Sequence, residues 1–469
     1  MSASTAANEL STTWSALPHL SRELSGEILL APLSGERGEP IRLNVSGAHM
    51  WESLTGGATI AQVADQLDQR VDFGRRSADV AALVQQLESN GLVTSAPLPA
   101  GDRVSVTPTP ARPRHYPDLA TGALWRTLAT LPPEPGPAHA DRKLTEDVIK
   151  LIERRGSLGQ LAHAIDLGRI AASDEHRQLV QDRWAANQLH CLRVEQMLLA
   201  ALDLFDGAGI PFRLLKGVAV SHLDLPDPGW REFGDADVLV AEDAWQAAVD
   251  VLNADSFFSP FHGEAGHPFE ATKGRTFLTP DRLMLDVHWR LSIGGLGARR
   301  VDILFDKPDT FSLGGRAVPA LSRPGRLVHA LVHWFSSPGI RRGTIRDMVE
   351  LADADPSAVV EIASQLRVTG VVKRSAELLG EELELPALEA LARLLRPTPS
   401  ERVLAVRRGN VSLHRNVLWR ELTGLAFTPG LRARRDYITE RAFPSDDFRG
   451  NQKVTWRTYA EVMTGRRIK

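Results

Sequence analysis

Two aspartates one residue apart open the chemical reading of this chain. They stand in Gly234-Asp235-Ala236-Asp237-Val238-Leu239-Val240, whose apolar run has the pattern of a strand. Side chains alternate across a strand, so Asp235 and Asp237 share one face while Ala236, Val238 and Val240 share the other. Nothing nearby in sequence neutralises the two carboxylates. Like charges this close repel, and a divalent cation resolves the conflict. Hard oxygen ligands of this kind select magnesium or manganese over zinc.

A second stretch follows the same arithmetic. In the segment from Arg282 to Leu291, the residues Leu283, Leu285, Val287, Trp289 and Leu291 fall on one face of a strand. Asp286, His288 and Arg290 fall on the other. A third carboxylate on a neighbouring strand would complete a two-metal site of the kind used for in-line phosphoryl or nucleotidyl transfer. Asp286 would help hold the metal that activates an attacking hydroxyl, or act as its base. His288 and Arg290 stand where they could reach phosphate or substrate. The ordinary alternative is a solvated strand face, and the matching strand with Asp286 weighs against it.

Upstream, Phe212 to Leu215 reads as a strand that ends in Lys216-Gly217 and opens a helix. Free backbone N–H groups, a small residue and a lysine make an anion cradle, with triphosphate the obvious anion. Gly234 joins this nucleotide-binding set. Arg231, in the turn Asp227-Pro228-Gly229-Trp230-Arg231, is either a second phosphate contact or a surface arginine pairing with Glu232 or Asp235.

The run LLKGVAVSHLDLPDPGWREFGDADVLV, followed by LDVHWRLS, resembles the uncharacterised nucleotidyltransferase family of the DNA polymerase β-like superfamily. The resemblance covers roughly residues 145–400. It implies that Asp235, Asp237 and Asp286 are the metal-binding and catalytic carboxylates. It implies Mg2+ or Mn2+ as cofactor and a nucleoside triphosphate, ATP first among them, as substrate. Where the superfamily usually has glycine-serine, this chain has Lys216-Gly217. Family membership names a chemistry and not an acceptor.

These residues need elements to carry them. Strands and helices alternate from Ile210 to Leu291, after a helical stretch from Leu144 to Phe205 and before a largely helical remainder from Pro324. His329 and His333 lie one helical turn apart in that remainder, a spacing that can hold a metal, though no glutamate follows His329 and the family resemblance implies instead that they line the substrate cleft.

The N-terminal part is separate. Glu27–Ala31 and Pro40–Asn44 read as strands. Ser46 is the expected cap of a helix through Trp51, Thr59 of a second, and a third spans Ser77–Glu88 before a returning Leu92-Val93-Thr94. The segment LNVSGAHMWESLTGGATIAQVADQLDQRV, closing at Gly91-Leu92-Val93, resembles a PqqD-like peptide-recognition domain over about residues 24–95. Such domains take a leader peptide as an added strand. The implied partner is an extended precursor or leader peptide along Ile28–Ala31 or Ile41–Asn44, as in tailoring of ribosomally made peptides, lasso peptides among them. Between the two parts, ten prolines from Pro97 to Pro137 mark a semi-rigid linker.

The expected fold is therefore α+β. A small winged-helix-like domain spans 1–95 and a proline-rich linker 96–143. A polymerase β-like nucleotidyltransferase domain spans 144–323, and a helical region 324–469. The chain of 469 residues suits two or three domains, and its formal charge of −3 favours neither nucleic acid nor a membrane surface as partner. One cysteine, Cys191, rules out an internal disulfide and fits a cytoplasmic location. No apolar run reaches the roughly 20 residues of a membrane span. Four readings stay open: nucleotidyl transfer to a peptide hydroxyl, phosphoryl transfer to the same peptide, small-molecule adenylyl transfer, and a leader-binding adaptor with an inactive transferase domain.

Overall fold

In a computed structural model the described residues are 13–24, 27–33, 38–68, 76–95, 144–153, 156–259, 274–291, 301–336 and 344–402, with 405 and 435. The linker expected at 96–143, and most of the helical region expected beyond 402, lie outside them. The chain divides into two compact units. Residues 1–111, 173–199 and 312–318 form the first, and 112–172, 200–311 and 319–469 the second.

The first unit is built from β1 (Thr13–Ala16), β2 (His19–Leu24), β3 (Glu27–Pro32), β4 (Ile41–Leu43), α1 (Val45–Thr55), β5 (Ala58–Thr59), α2 (Ile60–Asp68), α3 (Arg76–Ser89) and β6 (Val93–Thr94). Strands β2, β3 and β4 form an antiparallel sheet, and β1 lies between β5 and β6 in another. Local chemistry sets the helix starts. Asn44, not Ser46, caps α1: its extended backbone lets the side chain accept the Gly47 N–H at 2.9 Å. Ser46 already lies inside the helix and donates its hydroxyl to Asn44 Oδ1. Thr59 caps α2 as expected, in a reciprocal pair with Gln62. Trp51, Leu54, Val63, Val80, Val84, Leu87 and Leu92 close one core over Leu30 and Leu43.

Strand β2 was hidden in the sequence by an arginine at an inward position. Leu20, Arg22 and Leu24 alternate inward, and Arg22 is ion-paired with Glu195. Glu195 lies on the part of a long helix, Asp174–Gly207, that belongs to this unit. Both side chains are buried, and Gln196 nearby donates to the Pro32 carbonyl at 2.8 Å. Arg22→Met strands a buried carboxylate. It is expected to destabilise the chain by about 3–5 kcal/mol, and the Arg22→Met/Glu195→Met double variant to recover most of that. Denaturant unfolding of the two variants measures the difference.

The second unit contributes α4 (Glu146–Glu153), α5 (Leu158–Asp166), the rest of α6 (Asp174–Gly207), β7 (Phe212–Leu214), α7 (Lys216–Leu223), β8 (Asp235–Val240), α8 (Trp245–Ala254), β9 (Gly274–Leu278) and β10 (Met284–His288). A hairpin of β11 (Asp309–Leu313) and β12 (Arg316–Ala320) follows, turned by Gly314 and Gly315 at positive φ, and its residues 312–318 group with the first unit. Helices α9 (Arg323–Ser336), α10 (Thr344–Leu351), α11 (Pro356–Gln365), α12 (Thr369–Leu383) and α13 (Pro386–Leu394) complete the described chain.

The mixed sheet runs β11-β12-β7-β8-β10-β9. β8 and β10 are parallel neighbours. Their inner face carries Ala236, Val238, Leu285 and Val287, all essentially without solvent contact. Leu215, Val220, Leu239 and Leu291 share one core with Leu327, Leu331, Met348, Val372 and Leu379 of the helices. That shared core fixes the carboxylate strands against the helical layer. Among the described residues no helix is long and apolar enough to cross a membrane.

Candidate active site

The parallel register of β8 and β10 sets Asp286 directly beside Asp237, and Met284 beside Asp235. On the other side of β10, antiparallel β9 sets Thr276 beside Asp286 and Gly274 beside His288. Residues opposite one another across strands project from the same face. One row of that face thus reads Asp237, Asp286, Thr276. Thr276 donates its hydroxyl to Asp286 Oδ1 at 2.6 Å, which orients the carboxylate.

Asp237 is the buried member. Its Oδ1 accepts from Lys216 Nζ at 2.9 Å and from His288 Nε2 at 2.9 Å. Burial alone would push the carboxyl up, but Lys216 and His288 overturn that and hold it well below the usual carboxylate range. Lys216 shows the reciprocal balance. Burial would depress the ammonium, yet Asp237, Asp235 and Asp286 together keep it above the ordinary lysine value. The neutralising cation missing from the local sequence comes from the neighbouring strand–helix junction. β7 is antiparallel to β8, and the Leu215 N–H donates to the Asp237 carbonyl at 3.0 Å, which brings Lys216 over the carboxylates. Gly217 directly after it breaks the helical backbone, with φ 16° and ψ −96°, and packs on Phe233.

Asp237, Asp286 and His288 each offer a ligand atom, and these atoms lie within 4.8 Å of one another. Two carboxylates and an imidazole at this spacing fit a divalent cation such as Mn2+ or Mg2+. Asp235 stands outside that cluster, half-exposed at the start of β8. His288, read from sequence as a phosphate or substrate contact, is thus placed among the candidate metal ligands. A cation on Asp237 Oδ1 would compete with the Lys216 ammonium, which is then free for an anion.

The remaining sequence candidates fall in two places. Gly234 is exposed, with open space where a Cβ would stand. Arg231 is buried, with its Nε donating to Asp347 Oδ1 at 2.9 Å, and Arg290 is buried with its guanidinium 3.5 Å above the Trp289 ring. Lys216, Arg326, His329, His333 and Asp347 line a small pocket behind the carboxylates. Burial, reinforced by His333, holds the His329 imidazole well below its ordinary value.

Sequence reasoning passed over Thr276, because β9 is a short strand that opens on glycine and carries no alternating apolar signal of its own. It also passed over Asp224, whose buried carboxylate takes Arg326 through two bonds of 2.7 and 2.9 Å and Arg323 at 2.7 Å. That cluster ties α9 to the end of α7, the helix that begins with Lys216. Gly274 is the further hidden requirement. A Cβ there would lie 2.3 Å from the Val287 carbonyl oxygen and 2.9 Å from His288 Cα. Gly274→Ala must displace β10 at His288. A shift of about 1 Å is expected to cost on the order of a hundredfold in turnover, read beside a melting curve that reports any loss of fold.

Residues 143–381, half of the chain, match the family described as uncharacterised nucleotidyltransferase. The chain belongs to that family. It is accordingly an enzyme of the nucleotidyl-transfer type, and the Asp237–Asp286 pair lies within the matched residues. Residues 29–93 match the family of coenzyme PQQ synthesis protein D, so the first unit contains a PqqD domain. No curated protein matches the chain. Solved structures with a detectable likeness include an antigenic nucleotidyltransferase-like protein from Paracoccidioides brasiliensis, 15% identical over 44% of this chain and 93% of that one, with a TM-score of 0.28. Another is the antibiotic-resistance factor ANT(2'')-Ia, 11% identical over 47% of this chain and 97% of that one, with a TM-score of 0.25. At such scores neither likeness bears on the chemistry.

Proposed function

We propose that this enzyme moves a nucleotidyl group from a nucleoside triphosphate, with ATP the first choice, to a hydroxyl on a ribosomally made peptide. The observation that carries the reading is the register that pairs Asp286 with Asp237 beneath Lys216. Asp237, Asp286 and His288 would hold Mg2+ or Mn2+, with Asp235 beside them. Such an ion, when bound, supplies charge stabilisation for in-line transfer at phosphorus. Lys216, released from Asp237, holds the phosphates of the donor, with Gly217 and Gly234 leaving room for them. Asp286, oriented by Thr276, takes the acceptor side and receives the proton of the attacking hydroxyl, as its oxygen bonds to the α-phosphorus and the bond to the bridging oxygen breaks, releasing pyrophosphate. Arg231 and Arg290 act through Asp347 and Trp289 as supports of the site. The PqqD domain is what supports a peptide acceptor, since such domains capture leader peptides as an added strand.

The test uses the intact chain, a divalent cation, candidate precursor peptides and ATP labelled at the α- or at the γ-phosphorus. Label from the α position in the peptide is the expected result. Label from the γ position alone makes the enzyme a peptide kinase. Transfer to small hydroxylated amines with none to peptide makes it a small-molecule adenylyltransferase, and no transfer to any acceptor leaves the adaptor reading.

A further inference from the structure

A second row of side chains lies beside the carboxylates on the same sheet face. Register pairs Asp235 with Met284, Met284 with Leu278, and Leu278 with Phe258 through an isolated bridge. All four therefore project to the side that carries Asp237, Asp286 and Thr276. The opposite side of these strands is packed: Phe277, Leu285 and Val287 are wholly buried. The row itself is open. Phe258 is 46% and Met284 36% exposed, two of the four exposed large hydrophobics among the described residues, and Leu278 between them is half-buried. The row thus presents apolar surface to solvent beside the carboxylates.

Position decides what the stripe meets. Lys216, the cation for the donor's phosphates, enters from β7, on the far side of β8 from the stripe. Met284 on β10, Leu278 on β9 and Phe258, bridged to Leu278 beyond β9, run the other way, on the side of Asp286 and Thr276. The stripe thus flanks the acceptor side of the site. Its side chains bring no charge and no hydrogen-bond donor. Residues two apart on a strand are spaced by about 6.5–7 Å, which is also the spacing of residues two apart in an extended peptide.

We propose that Met284, Leu278 and Phe258 form an acceptor subsite for a large apolar side chain two residues from the hydroxyl residue that is modified. The acceptor then lies extended along β10, with its hydroxyl at Asp286 and its apolar neighbour on the stripe. Thioether and phenyl groups suit leucine or an aromatic ring there. The inference rests on the peptide-acceptor reading above and adds a local sequence preference to it.

The test is fluorescence anisotropy with the full chain and short labelled peptides that lack any leader. Each carries serine at the centre, with leucine, phenylalanine, glycine or aspartate two residues away, in the presence of a non-hydrolysable triphosphate. Leucine or phenylalanine peptides are expected to bind at least about tenfold more tightly than the glycine peptide, the effect of burying one such side chain. Met284→Ser and Phe258→Ser, both at exposed positions, are each expected to reduce that preference without changing triphosphate affinity. Equal binding of all four peptides, or binding of none, overturns the proposal. So does a loss of triphosphate affinity in these variants with peptide preference intact, which would assign the stripe to the nucleobase. The same mixtures with labelled ATP separate the two levels. Selective binding without label transfer keeps the subsite and removes the transfer reading, and transfer without selectivity does the reverse.

Discussion

Replacing Asp237 with asparagine is expected to lower turnover by more than about a hundredfold at saturating metal, as loss of a metal-derived stabilisation of several kcal/mol requires. Stability should fall too, because Lys216 and His288 both bond to Asp237 Oδ1 in a buried setting. The pH dependence of that loss has a definite sign. Asp237 is held below its ordinary value, so its contribution is complete above about pH 4 and fades as pH falls through the folded value. Lys216 is held above its ordinary value, so its contribution is complete below about pH 10 and fades at higher pH. The stability gap between wild type and variant should therefore narrow below about pH 4 and again above about pH 10. Melting curves across pH, beside initial rates, check both claims. A variant with ordinary turnover places the reaction elsewhere.

Asp286→Asn separates the acceptor side from the donor side. Asparagine keeps an oxygen that can accept from Thr276, so the local packing survives, while the charge and the proton acceptor are gone. The rate of transfer is expected to drop by about 10²–10⁴, the usual range for loss of a general base. Triphosphate affinity, measured at saturating divalent cation, should change far less, because Lys216 and Asp237 remain. Titration of a triphosphate analogue into the variant, with single-turnover rates, reads the two effects apart. Collapse of binding in step with rate at saturating cation would contradict the acceptor-side role of Asp286.

The carboxylate strands were legible in the sequence because alternation in one strand and its repeat in another survive without any tertiary knowledge. Asp235 to Val240 is the strand that spacing predicts, and Asp286 meets Asp237 as the repeat implies. Partners were not legible. Alternation says which face a residue takes and not what faces it. The Lys216–Asp237 and Thr276–Asp286 pairs each join different elements, and the Arg231–Asp347 pair joins residues 116 apart in sequence. Arg22 in β2 shows the converse, where a buried ion pair put a charge at a core position and erased the apolar pattern that would have revealed the strand. The same pair qualifies the division of the chain read from proline density. Residues 173–199 group with the N-terminal unit, so a truncation just before Leu144 removes Arg22 and strands Glu195.

Whether Asp237 and Asp286 form one divalent-cation centre is read by titrating Mn2+ into the intact chain with a non-hydrolysable triphosphate, followed by electron paramagnetic resonance. The wild type is predicted to bind the ion with the triphosphate present, and Asp237→Asn and Asp286→Asn each to lose more than about tenfold in affinity. Unchanged Mn2+ affinity in both variants would mean that Asp237 and Asp286 do not share an ion.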